Sequence, residues 1–135
     1  MTAGYSGTPL AEKLGFERGM RVWFHHMPDS VRAEIDPDGR NIDVQSSASD
    51  GLQAAHIFMT ERECLARELA ALRELIAPNG FIWVSWPKKT AKMPTDITEN
   101  VIREVALPIG LVDIKVCAVD EIWSGLKLVI RKELR

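Results

Sequence analysis

The chain has 135 residues, the length of one ordinary domain, and a domain of that size can fold without disulfides or metals. Hydrophobic residues make up 46% of the chain and charged residues 27%, a globular balance that argues against disorder. The formal net charge of −2 gives no support for sequence-independent binding to nucleic acid, which usually needs a basic surface. No apolar run is long enough to span a membrane, and residues 1–14 contain none typical of a signal peptide, so we expect a cytoplasmic protein.

The first half of the chain predicts short elements around a buried core. Residues 1–8 are small and polar, so we expect a loose N-terminal segment followed by a single domain over residues 9–135. The helix that ends at Ile35 can be capped by Asp29 or Ser30. The predicted elements are helices over 9–14 and 29–35, strands over 20–25 and 54–59, and a candidate strand over 42–44 whose pairing the sequence leaves open.

The second half predicts two longer helices and three strands. Thr60 and Glu63 match a capping box that opens a helix ending at Ala77, and Asp96 with Glu99 is a second capping pair. Residues 81–86 are apolar on both faces, as in a central parallel strand. The last two strands, over 114–119 and 126–131, have no room for a crossover helix between them and must form an antiparallel hairpin.

These elements predict a three-layer α/β sandwich with a mostly parallel sheet and a C-terminal antiparallel hairpin. That pattern resembles the architecture of class I S-adenosylmethionine-dependent methyltransferases. The run Leu75-Ile76-Ala77-Pro78-Asn79-Gly80-Phe81-Ile82-Trp83-Val84-Ser85 looks like the segment that leads into and forms the fifth strand of that fold. The resemblance in topology covers roughly the whole chain, and the resemblance in motifs begins at about residue 54.

A narrower resemblance rests on three segments. They are Tyr5-Ser6-Gly7-Thr8-Pro9-Leu10, Trp83-Val84-Ser85-Trp86-Pro87-Lys88-Lys89 and Trp123-Ser124-Gly125-Leu126-Lys127. Together they are similar to a family of small bacterial proteins that is defined only as a domain of unknown function. The resemblance implies a fold and a bacterial source, and it implies no activity.

The S-adenosylmethionine site of the methyltransferase fold is not supported by the residues. Such a site needs a glycine-rich turn after the first strand and an acidic residue after the second. Here the first turn, residues 25–30, contains no glycine, and Gln45 and Ser46 follow the second strand. Residues 46–53 are too few for a full parallel crossover, so a strand and a helix of the parent fold are missing. We therefore predict no cofactor.

The histidines and Ser85 are the candidates for metal binding and for nucleophilic catalysis. His25 and His26 are adjacent strand residues that face opposite ways, and no third ligand has suitable spacing beside His56, so we predict no metal. Ser85 is not in a G-x-S-x-G elbow, and we interpret it as a small strand residue packed under a helix.

A basic loop is the most suggestive feature. Trp86, Lys88, Lys89 and Lys92 follow the carboxyl end of the central strand, where open α/β sheets bind ligands. The lysines favour an anion and Trp86 could stack on a planar ligand. The alternative is a solvated loop over a core tryptophan.

The same predicted site has further members on other loops. His25 and His26 end the first strand, and Trp123 forms a second wall of the site or a partner surface.

Two hypotheses about function stay open. One is a non-catalytic binding or interaction module for a small anion or a protein partner. The other is a small enzyme with a rebuilt pocket at the carboxyl edge.

Overall fold

A computed structural model describes residues 7–135, so the predicted loose segment lies largely outside the described residues. The helices are α1 (Leu10–Lys13), α2 (Asp29–Ile35), α3 (Arg62–Leu75) and α4 (Glu99–Ala106). The strands are β1 (Arg21–His25), β2 (Asp43–Gln45), β3 (Leu52–Phe58), β4 (Ile76–Pro87), β5 (Leu111–Ala118) and β6 (Trp123–Ile130). Short 3₁₀ turns cover Lys89–Ala91, Leu107–Ile109 and Lys132–Leu134.

The six strands form one mixed sheet in the order β2-β1-β3-β4-β6-β5. β1 pairs in parallel with β2 and β3, and β3 pairs in parallel with β4. β6 is antiparallel to both of its neighbours, β4 and β5. The predicted fold class is therefore confirmed: a mostly parallel sheet, covered by helices on both faces, with a C-terminal antiparallel hairpin. The candidate strand at residues 42–44 is β2, shifted by one residue.

Each face of the sheet carries its own core. On the α3/α4 face, Leu65, Leu69 and Leu72 of α3 lie on one side of that helix and pack on the inward residues of the strands. On the α1/α2 face, Leu10 of α1 and Val31 of α2 pack over aromatic strand residues. β4 is buried on both faces from Phe81 to Ser85, as predicted for a central strand.

The predicted helix caps were wrong in three places. Pro28 precedes α2 without any side-chain cap, so neither Asp29 nor Ser30 has that role. Thr60 and Glu63 do not form a capping box, because α3 begins at Arg62 and its backbone N–H donates to the carboxylate of Asp96 at 2.7 Å.

α4 differs from the prediction in the same way. Its cap is Thr98, whose hydroxyl accepts the N–H of Val101 at 3.2 Å, rather than the Asp96–Glu99 pair. Asp96 is thus a cap that joins two segments 34 residues apart, which no local pattern could indicate.

Helix α3 ends two residues earlier than predicted, because the chain becomes extended at Ile76 and continues directly into β4. The connection from β2 to β3 consists of residues 46–51 and contains no helix.

None of the described helices is long and apolar enough to cross a membrane. The cytoplasmic location and the domain boundary at residue 9 stay predictions.

Candidate functional site

The carboxyl edge of the parallel strands has a topological switch point between β1 and β3. From β1 the chain turns to β2 on one side and later returns to β3 on the other. Open α/β sheets bind ligands at such crevices. A cavity of about 280 Å³ lies there, which we call the switch-point cavity. Its lining includes His26, Phe58, Met59, Thr60, Cys64 and Trp123.

The turn from β1 to α2 shapes one wall of this cavity. His26 adopts a left-handed backbone with φ of 56°, a conformation that glycine adopts without strain and histidine adopts less readily. The sequence has no glycine between Gly19 and Gly39, so every residue of the turn from β1 to α2 has a side chain. The imidazole of His26 is exposed and stands in the cavity wall.

The residues of this edge differ from those that S-adenosylmethionine, the cofactor that the fold implies, requires. A glycine turn that lets the backbone approach the ligand is replaced by His26 and Met27. β2 ends at Gln45, so no carboxylate stands at its end to bind a ribose. The cavity, at about 280 Å³, also falls at the lower limit of ordinary small-molecule pockets. The residues do not fit the cofactor.

Some of the predicted site residues are brought together. His26 and Trp123 line the same cavity, and the Trp123 ring packs edge-on against Phe58 with centroids 5.1 Å apart. The basic loop is anchored beside them, because the backbone N–H of Lys88 donates to the carbonyl of Ile122 at 2.8 Å.

The other two lysines of the loop are exposed. Lys89 begins the 3₁₀ turn, and Lys92 follows it in a left-handed conformation with φ of 54°. Neither lines the switch-point cavity, so a ligand that contacts them would have to extend over the rim.

The remaining predicted residues, Trp86 and His25, pack on the α3/α4 side of the sheet and do not line the cavity. Trp86 packs against the core under α3 and α4. His25 stacks on Trp23 with ring centroids 4.9 Å apart. Burial lowers the pKa of His25, repulsion from His26 lowers it further, and Glu68 of α3 opposes both. The ring of His25 nevertheless lies only 3.9 Å, centroid to centroid, from the ring of His26. The expectation that the two histidines face opposite ways was therefore wrong, because β1 ends at His25 and the chain bends at the left-handed His26.

The amino terminus of α3 borders the switch-point cavity, but its first N–H already has a partner. Asp96 accepts the N–H of Arg62, and the carboxylate of Glu61 also lines the cavity. An anion at this helix end would meet two carboxylates, which weakens the anion prediction for this cavity. Cys64 is the cavity's thiol, with Nη2 of Arg67 3.4 Å from its Sγ.

Sequence reasoning missed a buried polar pair on the α1/α2 face. His56 and Ser85 are both fully buried, and Nε2 of His56 lies 2.7 Å from Oγ of Ser85. Nδ1 of His56 has no hydrogen-bond partner among the described residues. Burial lowers the pKa of His56 to about 3, so the ring is neutral. Ser85 is thus a small buried strand residue that is also the hydrogen-bond partner of His56.

A second cavity was also missed, on the α1/α2 face near the amino ends of β1, β3 and β4. We call it the amino-edge cavity, and its volume is about 600 Å³. It is lined by residues that include Phe16, Met20, Gln53, Asn79, Phe81 and Lys127. The signal that the sequence offered for this cavity was Lys127, a lone charge within the apolar strand residues 126–130.

In residues 7–135, no group of three His, Cys, Asp or Glu side chains could hold a metal ion.

Comparison with solved structures shows the fold. The chain is similar to an S-adenosylmethionine-dependent methyltransferase from Aquifex aeolicus, with 13% identity, a TM-score of 0.57 and 89% of each chain covered. It is also similar to a TehB-like S-adenosylmethionine-dependent methyltransferase from Corynebacterium glutamicum, with 8% identity, a TM-score of 0.54, and 96% of this chain and 91% of that chain covered.

A third similar structure is the ribosomal protein L11 methylase of Lactobacillus delbrueckii subsp. bulgaricus. The identity is 8% and the TM-score 0.54, with 90% of this chain and 74% of that chain covered. No protein-family model matches the sequence, and no curated protein sequence matches it either. The chain has a methyltransferase-like fold.

Proposed function

We propose that this chain is a non-catalytic binding module, built on a methyltransferase-like fold, that does not use S-adenosylmethionine. The observation that carries the proposal is the β1–α2 turn, where His26 stands in the left-handed position and its side chain occupies the wall of the switch-point cavity. A ligand of this cavity must be smaller than the methyltransferase cofactor, because Trp123 and His26 leave only about 280 Å³.

Membership in the bacterial family of unknown function belongs to the same proposal. Its support is that the described parts of the three resembling segments meet in space. Leu10 of the first segment, Trp83 of the second and Trp123 of the third belong to one buried core cluster. An added methyl group on Gly125 would come within 3.1 Å of the Trp83 ring, so the third segment also packs on that ring.

A thermal-shift screen at low salt tests the binding module. The panel would hold nucleotides, S-adenosyl compounds, small phosphates and small carboxylates. We expect a compound smaller than S-adenosylmethionine to raise the melting temperature, and we expect His26→Ala to remove that shift. Glu121→Ala, an exposed change outside the cavity, is the matched control. Stabilisation by S-adenosylmethionine that His26→Ala does not affect would contradict the proposal.

The predicted lysine loop can be tested with the same screen. If the compound that binds is an anion extending over the rim, Lys88→Ala with Lys89→Ala should weaken it by about 1 kcal/mol for each lost contact. Lys132→Ala is the control, because Lys132 lies in an exposed 3₁₀ turn at the other end of the chain. Equal binding by the double variant would remove the loop from the site.

A second candidate function is a small enzyme at the same cavity. It is favoured by Cys64 and His26, a thiol and an imidazole that both line the cavity. This combination of groups can supply a nucleophile and its base. Alkylation by iodoacetamide tests it: an enzyme of this kind requires Cys64 to react faster in the wild type than in His26→Ala. Equal rates would leave the binding module as the better proposal.

A further inference from the structure

The amino-edge cavity contains a half-buried ammonium group that has no carboxylate partner in the described part of the chain. Lys127 Nζ lies 4.2 Å from the centroid of the Phe81 ring. Gly15, in a left-handed conformation with φ of 78°, lies against it, and an added methyl group there would be 3.5 Å from Nζ, an ordinary van der Waals contact. Within residues 7–135, no Asp or Glu carboxylate lies within ion-pair distance of Lys127.

Burial and repulsion from Lys115 lower the pKa of Lys127. Lys115 is its register neighbour on β5, and its own ammonium donates to the carbonyl of Lys13 at 3.3 Å. Two like charges therefore lie side by side on this part of the sheet. An anion beside Lys127 would offset both the burial and the repulsion.

The other walls suit a planar body. The rings of Phe16 and Phe81 are nearly parallel, with centroids 6.0 Å apart and planes at 14°. The side-chain oxygen of Gln53 accepts the N–H of Arg21 at 2.9 Å, which leaves the NH₂ of Gln53 as the group able to serve a ligand. The exposed amide of Asn79 adds a second polar group to the lining.

Two carboxylates also line the cavity, and they limit where an anion can lie. Glu12 pairs with Arg40 at 3.6 Å, so its charge is partly balanced. Glu17 is exposed and would repel a second negative charge. The anionic group of a ligand must therefore be at the Lys127 end of the cavity.

We propose that the amino-edge cavity binds a small planar molecule that carries one carboxylate or phosphate group, with Lys127 contacting that group. This site is on the edge of the parallel sheet opposite the switch-point cavity, so it does not depend on the function proposed there. Phe16 and Phe81 contribute the apolar wall, and Gln53 and Asn79 contribute polar contacts to the body of the ligand.

Labelling with pyridoxal 5′-phosphate tests the proposal, because this probe is planar, anionic and an aldehyde. Its aldehyde carbon bonds to a neutral lysine nitrogen with loss of water, and borohydride then delivers hydride to the imine carbon, so that peptide mass spectrometry locates the modified residue. We expect Lys127 to be labelled severalfold faster than the exposed Lys132. Labelling of Lys127 no faster than Lys132 would overturn the proposal.

Competition separates anion binding from simple amine reactivity. Benzoate and phenyl phosphate are added in separate arms, and the arm that slows labelling of Lys127 identifies the anionic group. The same compound should raise the melting temperature of the wild type and of Lys132→Met, but not of Lys127→Met. If neither compound slows labelling, or if Lys127→Met keeps the thermal shift, the cavity is not the proposed anion site.

Discussion

Nε2 of His56 on β3 and Oγ of Ser85 on β4 lie 2.7 Å apart inside the α1/α2 face of the sheet, and both side chains are completely buried. The pair joins two parallel strands inside the core. Burial therefore dominates the behaviour of the imidazole and lowers its pKa to about 3. The pair makes the stability of the domain depend on pH.

We expect the domain to lose stability as the pH falls below neutrality. In the unfolded chain the histidine titrates near its ordinary pKa of about 6.5, so between that value and about 3 the unfolded state binds a proton that the folded state excludes. The contribution of His56 is complete above pH 7 and falls by about 2 kcal/mol by roughly pH 5. Urea unfolding at a series of pH values measures it.

Two variants identify the histidine responsible. His56→Leu combined with Ser85→Ala removes both polar groups and should flatten that part of the pH profile. His26→Gln removes an exposed histidine and should leave the fall in place. An unchanged profile in the double variant would show that another group causes the pH dependence.

Trp83 is expected to be a major source of stability. Its side chain is fully buried at the centre of β4, and its indole N–H donates to the carbonyl of Leu14 at 2.8 Å. Trp83→Ala should cost about 3 to 5 kcal/mol, the usual range for a large buried aromatic residue. Trp83→Phe should cost less, because most of the ring stays. Denaturant unfolding gives both values, and a loss well under about 1 kcal/mol for Trp83→Ala would contradict the burial.

Gly125 is expected to be sensitive to an added side chain. An added methyl group would lie 3.1 Å from Cε3 of Trp83, 3.3 Å from Val119 and 3.4 Å from Oγ of Ser85. Gly125→Ala should therefore destabilise the domain by about 1 to 3 kcal/mol through overpacking. Ser124→Ala, at the adjacent half-buried position, is the control and should have little effect. Equal melting temperatures for wild type and Gly125→Ala would show that the three neighbours can move away.

The two cysteines should be reduced and should differ in access. Cys64 is half-buried beside the switch-point cavity, whereas Cys117 is buried on β5. A thiol reagent should modify Cys64 quickly and Cys117 only as the domain opens. Under denaturing, non-reducing conditions we expect two free thiols, and a count of zero would refute the prediction. Cys64→Ser assigns the fast phase.

The sheet was predictable from the sequence because its signals are local. The apolar run from Phe81 to Ser85 indicates a strand buried on both faces, and the short gap before β6 requires a hairpin. The caps were less predictable, because Asp96 caps α3 from 34 residues away and only the folded chain brings them together.

The sites were predictable only in part. The carboxyl edge and its members His26 and Trp123 follow from topology, but Trp86 packs into the α3/α4 core and His25 stacks on Trp23, so neither lines the cavity. Lys127 is a lone charge in an apolar strand, but that signal does not locate the amino-edge cavity, because the cavity depends on Gly15 of one segment lying against Lys127 of another. Contacts between residues that are so far apart along the chain leave no periodic pattern in the sequence.

Isothermal titration calorimetry of the wild-type chain with S-adenosylmethionine tests the proposed function most directly. Because the β1–α2 turn holds His26 where a glycine turn would be needed, we predict no saturable heat, with the same result for S-adenosylhomocysteine. A one-to-one isotherm with micromolar affinity would contradict this and would show that the switch-point cavity opens to hold the methyltransferase cofactor.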